Sequence, residues 1–395
     1  MIAPFDLNLR HLRAIPLIAR AGSMSAAAEE VSLSQPALTQ GLAKIERQID
    51  VALFERRSDG MVATPAGAAF ALRIDAAFAQ LVAEPRRGPR GFARPERLMT
   101  ATQLRAFLAL ADAGSFVDAA RGTGWSQPAL HRAVRDLEQL GAAPLVERRG
   151  RGVVLTADGR RLARGVRLAA AELAAGLAET RPDAGTRGRL VIGAMPLSRA
   201  RVVPAAIAAL VREAPRVTID VIEGSWRELV EPLRDGMIDL MIGALRDAAP
   251  LGLCQARLFD DRLAVVARAG HPLDGADPTL AELAGYPWIV GSAGTPLRAH
   301  WHALFGDAAP PAPIECGSVM TIRGILIDSD CLTLLSPDQI AMEIDTGLLT
   351  LIGRPRDDMV RTIGVTTREG WRPTALQARF IALLSSVLPT IPDFE

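Results

Sequence analysis

A chain of 395 residues exceeds one compact domain of ~100–200 residues, so two to four domains are expected. With 49% apolar and 23% charged residues and only three cysteines, the composition excludes a disordered, collagenous or disulfide-stapled chain. The net charge of +1 conceals an asymmetry: residues 1–187 hold 26 basic against 19 acidic side chains, residues 188–395 hold 19 against 25. A basic half joined to an acidic half suggests that the first meets a polyanion and the second does something else.

Cys254, Cys316 and Cys331 are widely spaced and read as small buried hydrophobes in a reducing compartment. Residues 1–10 lack the basic stretch and apolar core of a secretory signal, and no run approaches the ~18 apolar residues of a membrane span, so a cytoplasmic location without membrane contact is expected. Lys44 is the only lysine, a bias that a GC-rich genome explains.

The chain repeats itself at an offset of 92 residues. Ala21-Gly22-Ser23 recurs as Ala113-Gly114-Ser115, Ser34-Gln35-Pro36-Ala37-Leu38 as Ser126-Gln127-Pro128-Ala129-Leu130, and Glu55-Arg56-Arg57 as Glu147-Arg148-Arg149. Over 10–70 and 102–162 there are 23 identities in 61 positions, which implies a duplicated domain. Between the copies, 84–95 holds three prolines and two glycines among arginines and reads as a tether.

In each copy, helically spaced apolar residues (Leu9, Leu12, Ile15, Ile18; Leu104, Phe107, Leu108, Ala111) lead to the Ala-Gly-Ser stop and a short second helix. Ser34 and Ser126 then cap a third helix that carries Pro36 or Pro128 in its first turn. Two short helices joined by a tight turn are the plan that lays a recognition helix in the major groove. Leu53–Arg57 and Met61–Thr64 flank Ser58-Asp59-Gly60 as a hairpin wing, whose Arg56 and Arg57, like Arg148 and Arg149, suit contact with phosphate.

The ordered set of Ala-Gly-Ser, Ser-Gln-Pro-Ala-Leu, Leu-Glu, Phe-Glu-Arg-Arg and Thr-Pro-Ala-Gly resembles the winged helix-turn-helix of LysR-type transcriptional regulators, and both copies carry most of it. The resemblance implies DNA contacts by Ser34, Gln35, Pro36, Ala37, Thr39, Gln40, Lys44, Arg56 and Arg57 in copy one. In copy two it implies Ser126, Gln127, Pro128, Ala129, His131, Arg132, Arg135, Arg148 and Arg149. Gln40 suits adenine and Arg132 guanine, so the two helices should prefer different bases. Gly41 in mid-helix is expected to loosen copy one, and Leu140-Gly141 departs by one residue from Ile49-Asp50.

Residues 157–180 form an amphipathic pattern ~36 Å long that should not stand alone. In the resembled family this linker helix dimerises, so pairing with another chain is expected; the helix after copy one, 65–83, is shorter and alanine-rich.

The acidic half alternates strands (190–193, 217–222, 240–243) with helices (198–212, 226–235), which argues for a parallel sheet covered by helices. A second lobe begins at 262–267 and 288–290 and continues at 331–335 and 348–352, and 361–366 with a helix at 374–388 returns to the first. The order resembles the LysR-type effector domain, two-lobed and like a periplasmic binding protein. Ligand candidates at strand ends and helix starts are Pro196, Leu197, Ser198, Ser292, Thr295, Ser318, Val319 and Met320, although Ser198 and Thr295 also read as caps. The phrasing of 194–199 and 317–323 resembles the branch containing the galactose-binding-protein regulator, which implies a sugar.

The expected architecture is therefore multidomain: winged helix-turn-helix domains at 7–64 and 99–156, a helix and tether at 65–98, a linker helix at 157–182, and an α/β effector domain at 188–395. The expected partners are operator DNA, a small-molecule effector, further copies of the chain as dimer or tetramer, and RNA polymerase, with no cofactor or metal. No Gly-x-Ser-x-Gly, His-Glu-x-x-His or P-loop motif is present, and His300 and His302 fall on different helix faces. The competing reading is a small-molecule-binding protein whose repeated helical domains serve assembly.

Overall fold

The computed structural model describes residues 2–58, 60–82, 94–150, 152–181, 183–198, 200–353 and 359–386. Most of the tether at 84–95 lies outside the described residues, which omit 83–93. Two compact units result, one spanning residues 1–188 with 235–237, the other holding the remainder.

In the first unit, a 3-10 turn at Pro4–Asp6 leads to α1 (Leu9–Ala21), α2 (Met24–Glu30) and α3 (Gln35–Ile49). The hairpin β1 (Phe54–Arg57) and β2 (Gly60–Ala63) follows, and then α4 (Pro65–Leu81). After a 3-10 turn at Pro95–Arg97 the same order returns as α5 (Ala101–Ala113), α6 (Phe116–Thr123), α7 (Gln127–Gly141), β3 (Val146–Arg149), β4 (Gly152–Leu155) and α8 (Ala157–Glu179). The ends fall where capping chemistry places them. Asn8, Ser23, Ser34 and Thr64 accept backbone N–H bonds at helix starts, as do Thr100, Ser115, Ser126 and Thr156, and Gly22 and Gly114 close α1 and α5 in the left-handed region.

The linker helix departs from expectation. The apolar face of α8, with Ala163, Val166, Ala169 and Leu173 buried, packs against Phe70, Ile74, Ala77 and Leu81 of α4 in the same chain. Buried residues of all eight helices form one continuous core. The contacts run antiparallel: Arg73 of α4 donates from Nη1 to Glu172 Oε2 at 3.0 Å and from Nε to Glu179 Oε2 at 3.0 Å. At the other end, a Cβ on Gly165 would lie 2.4 Å from the Gln80 carbonyl oxygen, so the backbones touch there. Arg73 is only 4% exposed. Burial alone would lower its pKa, but the bonds to Glu179 and Glu172 outweigh that and raise it.

In the second unit β5 (Arg187–Ala194), α9 (Val202–Glu213), β6 (Arg216–Glu223), α10 (Trp226–Arg234) and β7 (Leu240–Ala244) alternate as expected. The sheet is mixed rather than parallel: β5 and β7 are parallel, but β8 (Leu253–Arg262), which the periodicity does not reveal, is antiparallel to the late strand over Val360–Arg368. The second sheet begins with β9 (Ala264–Arg268), one residue after β8, followed by α11 (Leu280–Ala284), β10 (Trp288–Val290) and α12 (Pro296–Phe305). It continues through β11 (Ile314–Glu315), α13 (Val319–Ile327), β12 (Leu332–Leu335), α14 (Ala341–Asp345) and β13 (Leu349–Ile352). Then β14 (Val360–Arg368) rejoins the first sheet and α15 (Ala375–Ser386) packs on α9.

The strand orders are β6-β5-β7-β14-β8 and β11-β10-β12-β9-β13. The two crossings touch each other, Leu263 N donating to Met359 O at 2.9 Å. Of the cysteines only Cys331 is buried, whereas Cys254 is exposed on β8, so the buried-hydrophobe reading holds for one of the three. Among the described residues no helix is long and apolar enough to cross a membrane.

A backbone cost sits at the end of α7. The left-handed residue there is Ala142 (φ 49°), while Gly141, one residue early, stays helical. In copy one the same place is Asp50 (φ 57°), a residue type that tolerates this conformation. Ala142→Gly is therefore expected to stabilise the protein by ~1 kcal/mol, read as a raised urea midpoint with unchanged slope.

Candidate nucleic-acid interface

Each third helix is fixed at both ends before any side chain is offered to a partner. At its start Ser34 accepts from Ala37 N and Ser126 from Ala129 N, both at 3.3 Å. At its end Glu46 Oε1 accepts the N–H groups of Leu53 (2.8 Å) and Phe54 (3.3 Å), and Glu138 Oε1 those of Leu145 (2.8 Å) and Val146 (3.4 Å). One carboxylate thereby ties the helix to the wing. Thr64 and Thr156 donate to Ala52 O (2.9 Å) and Pro144 O (2.7 Å). Gly67 and Gly159 let the next helix approach so closely that a Cβ would sit about 2 Å from the Leu53 or Leu145 carbonyl oxygen. Five of the repeated residues, Ser34, Glu46, Leu53, Thr64 and Gly67 with their counterparts, therefore serve this tie.

On the third helix most of the residues that differ between the copies face out. On α3 the face opposite the core carries Pro36, Gln40, Ala43 and Arg47; on α7 it carries Pro128, Arg132, Arg135 and Gln139, all exposed. Arg47 and Gln139 were absent from the sequence reading, and their signal is the seven-residue step from Gln40 and Arg132. Gln35 and Gln127 are exposed at the first turns, and Ser25 Oγ donates to Gln35 Oε1 at 3.1 Å. Thr39 is exposed but donates to Gln35 O at 2.9 Å, and Ala37 is half-buried while Ala129 is exposed. The wing arginines Arg56, Arg57, Arg148 and Arg149 are exposed, with Arg57 beside Glu55 at 3.2 Å.

Three placements correct the sequence reading. His131 is half-buried and stacks on Phe116 of α6, ring centroids 3.6 Å apart, and burial followed by the charges of Arg135 and Arg148 lowers its pKa, so its ring is a packing element. Lys44 lies to the side of the outward face, where its charge helps burial lower the pKa of His11 on α1. Gly41 does not loosen α3: it is buried, and a Cβ there would lie 2.6 Å from the His11 ring, so it permits α1 to pack on α3.

In the second unit the ligand candidates separate. Ser198 ends a 3-10 turn at Pro196–Ser198 and does not open α9, which starts at Val202. It is buried, and its hydroxyl lies 3.0 Å from Met195 O and 3.1 Å from Ile242 O, which turns it toward the sheet. Thr295 caps α12 by accepting from Arg298 N and donates to Ser292 O at 2.7 Å, and Ser318 caps α13 by accepting from Thr321 N. Because β10 and β11 are parallel neighbours, these two loops follow the same sheet end, with Val319 half-buried and Met320 65% exposed. Pro196 is half-buried in the turn after β5, which also contains Leu197. Among the described residues no cluster of His, Cys, Asp or Glu could hold a metal.

These geometries agree with what known proteins show. The family described as bacterial regulatory helix-turn-helix protein, lysR family, matches residues 9–68 and again 101–160, and the LysR substrate binding domain matches 183–389. HTH-type transcriptional regulator GalR of Pseudomonas putida is 32% identical over 387 residues, covering 96% of this chain and 97% of that protein. The chain belongs to the LysR family. This LysR-family protein is a DNA-binding transcriptional regulator with an effector domain, not an enzyme. The SDS degradation transcriptional activation protein of a Pseudomonas species is 34% identical over 260 residues, 63% of this chain and 83% of that one. The crystal structure of ArgP from Mycobacterium tuberculosis shares the fold, with a TM-score of 0.59 at 19% identity over 72% of this chain and 96% of that one.

In this regulator the wing depends on a single carboxylate per copy. Glu138→Ala removes two bonds to backbone N–H groups that burial keeps from water. A loss of ~1–3 kcal/mol is expected, measured by urea unfolding, with weaker DNA binding in the same variant.

Proposed function

We propose that the regulator carries two winged helix-turn-helix domains that both bind operator DNA, 7–64 and 99–156, and that 188–395 is a two-lobed, periplasmic-binding-protein-like domain that takes a small polar effector. Base edges are read by Gln40 and by Arg132 and Arg135, with Gln35, Pro36, Gln127 and Pro128 at the approaching helix ends. Phosphates are held by Ser34, Ser126 and the wing arginines Arg56, Arg57, Arg148 and Arg149.

The observation that carries this reading is that, in both copies, the outward face of the third helix and the base of the wing are exposed and carry hydrogen-bonding side chains, Gln40 and Arg47 or Arg132, Arg135 and Gln139 with the wing arginines, on a backbone tied behind them. The effector reading rests on the loops of Ser292, Thr295 and Ser318 at the carboxyl ends of adjacent parallel strands, where ligands of α/β sheets bind. Val319, Met320 and Pro196 add apolar surface, and Leu197 lies in the same turn as Pro196. The regulator acts in the cytoplasm without a cofactor, assembles as dimer or tetramer and contacts RNA polymerase.

Anisotropy titration of promoter-proximal duplex over a salt series tests the DNA reading. Affinity should fall steeply with salt, and Arg148→Ala should lower it alike on all sequences and reduce the slope by about 1. Binding that is absent or indifferent to salt would favour the assembly role instead.

A further inference from the structure

The contact between α4 and α8 has a local symmetry. At the 92-residue offset Arg73 corresponds to Gly165, and Gln80 to Glu172. Exchanging the copies therefore turns the Arg73–Glu172 contact into the Gly165–Gln80 contact, and both are present. One contact mapping onto the other is what a two-fold axis between the helices requires.

A second reciprocal pair points the same way. Arg13 and Arg105 occupy equivalent positions. Arg13 donates to Glu96 O (2.6 Å) and Arg97 O (2.9 Å) just ahead of copy two, while Arg105 pairs with Asp6 at 3.1 Å just ahead of copy one. Their guanidinium groups lie over Phe78 and Trp125, at 4.5 and 5.3 Å. Each copy clasps the segment that leads into the other.

The axis is a pseudo-axis, because its two ends are chemically unlike. In a pairing of two copies one, Arg73 would face a second Gln80 and lose its carboxylate. In a pairing of two copies two, Glu172 would face a second Gly165 and lose its cation. A buried charge stripped of its partner is penalised heavily, so both like pairings are disfavoured and the unlike pairing is selected, which this structure makes within one chain.

We propose that the DNA-binding half closes on itself as an intrachain pseudo-dimer, so that one chain reads an operator of two unlike half-sites, one through α3 and the other through α7. This rests on the DNA-binding reading above. The outward faces fit it: at equivalent positions Gln40 stands against Arg132 and Ala43 against Arg135. An amide suits adenine and a guanidinium suits guanine, so an inverted repeat would satisfy only one of the two helices. Assembly of several chains must then use surfaces other than this helix pair.

The test is selection from a randomised duplex pool by the full chain, sequenced for the wild type and for Gln40→Ala, Gln40→Arg and Arg132→Ala, all at exposed positions that spare the core. The expected motif is non-palindromic. Gln40→Ala should relax one half and Arg132→Ala the other, each lowering affinity for the parent site about 10- to 100-fold. Gln40→Arg should move its half toward guanine. An inverted repeat whose halves relax together in Arg132→Ala, with Gln40→Ala silent, overturns the proposal and leaves DNA binding standing. Absence of any enriched, salt-sensitive sequence overturns the DNA-binding reading and the proposal with it.

Discussion

One guanidinium held between two helices sets the organisation of the basic half. Arg73 is almost fully buried between α4 and α8, and it is stable there as a charge only because Glu172 and Glu179 reach it from the opposite helix. Removing one partner of such a pair typically costs ~3–5 kcal/mol, a large share of a domain's stability. The contact therefore contributes specificity more than adhesion: apolar burial along α4 and α8 supplies the attraction, and the ion pair decides which helix may lie opposite which. Everything that follows, a single core through both repeats and a reciprocal clasp by Arg13 and Arg105, is consistent with copies built to face each other.

Within each repeat, conserved and divergent positions divide by task. Glu46 and Glu138, Thr64 and Thr156, and Gly67 and Gly159 recur, and they tie the third helix, the wing and the following helix together through backbone groups. Gln40 and Arg132, or Ala43 and Arg135, diverge because they point away from that tie. A shared frame with unlike outward faces is what two domains need to hold the same geometry while preferring different bases.

Much of this was legible in the sequence because it is local. Caps such as Ser34 and Ser126, the left-handed Gly22 and Gly114, and the strand-helix alternation of the acidic half all act within a few residues, and spacing alone reveals them. Long-range partners escaped. The apolar stripe of 157–180 declared that it must be covered but not by what, and the covering helix proved to lie ~90 residues earlier in the same chain. The strand at Leu253–Arg262 was missed because it alternates irregularly, and its antiparallel place follows from β14, more than a hundred residues later. His131 read as a base contact because its type and position allow it; only the stacked ring of Phe116 shows where its surface is spent. Ser198 misled in the same way, since an N-cap and a hydroxyl bound back to Met195 and Ile242 look alike in sequence.

The pairing of α4 with α8 inside one chain can be measured directly. A full-length variant with cysteines only at the exposed positions 80 and 161, beside the Gln80–Gly165 approach and clear of the Arg73–Glu172 pair, the native Cys254, Cys316 and Cys331 replaced by serine, would be treated with a short bismaleimide and run on a denaturing gel over a range of protein concentrations. Pairing within the chain predicts a cross-linked product of single-chain mass whose yield does not change on dilution. Products of double mass that vanish on dilution, with no internal cross-link, would contradict it.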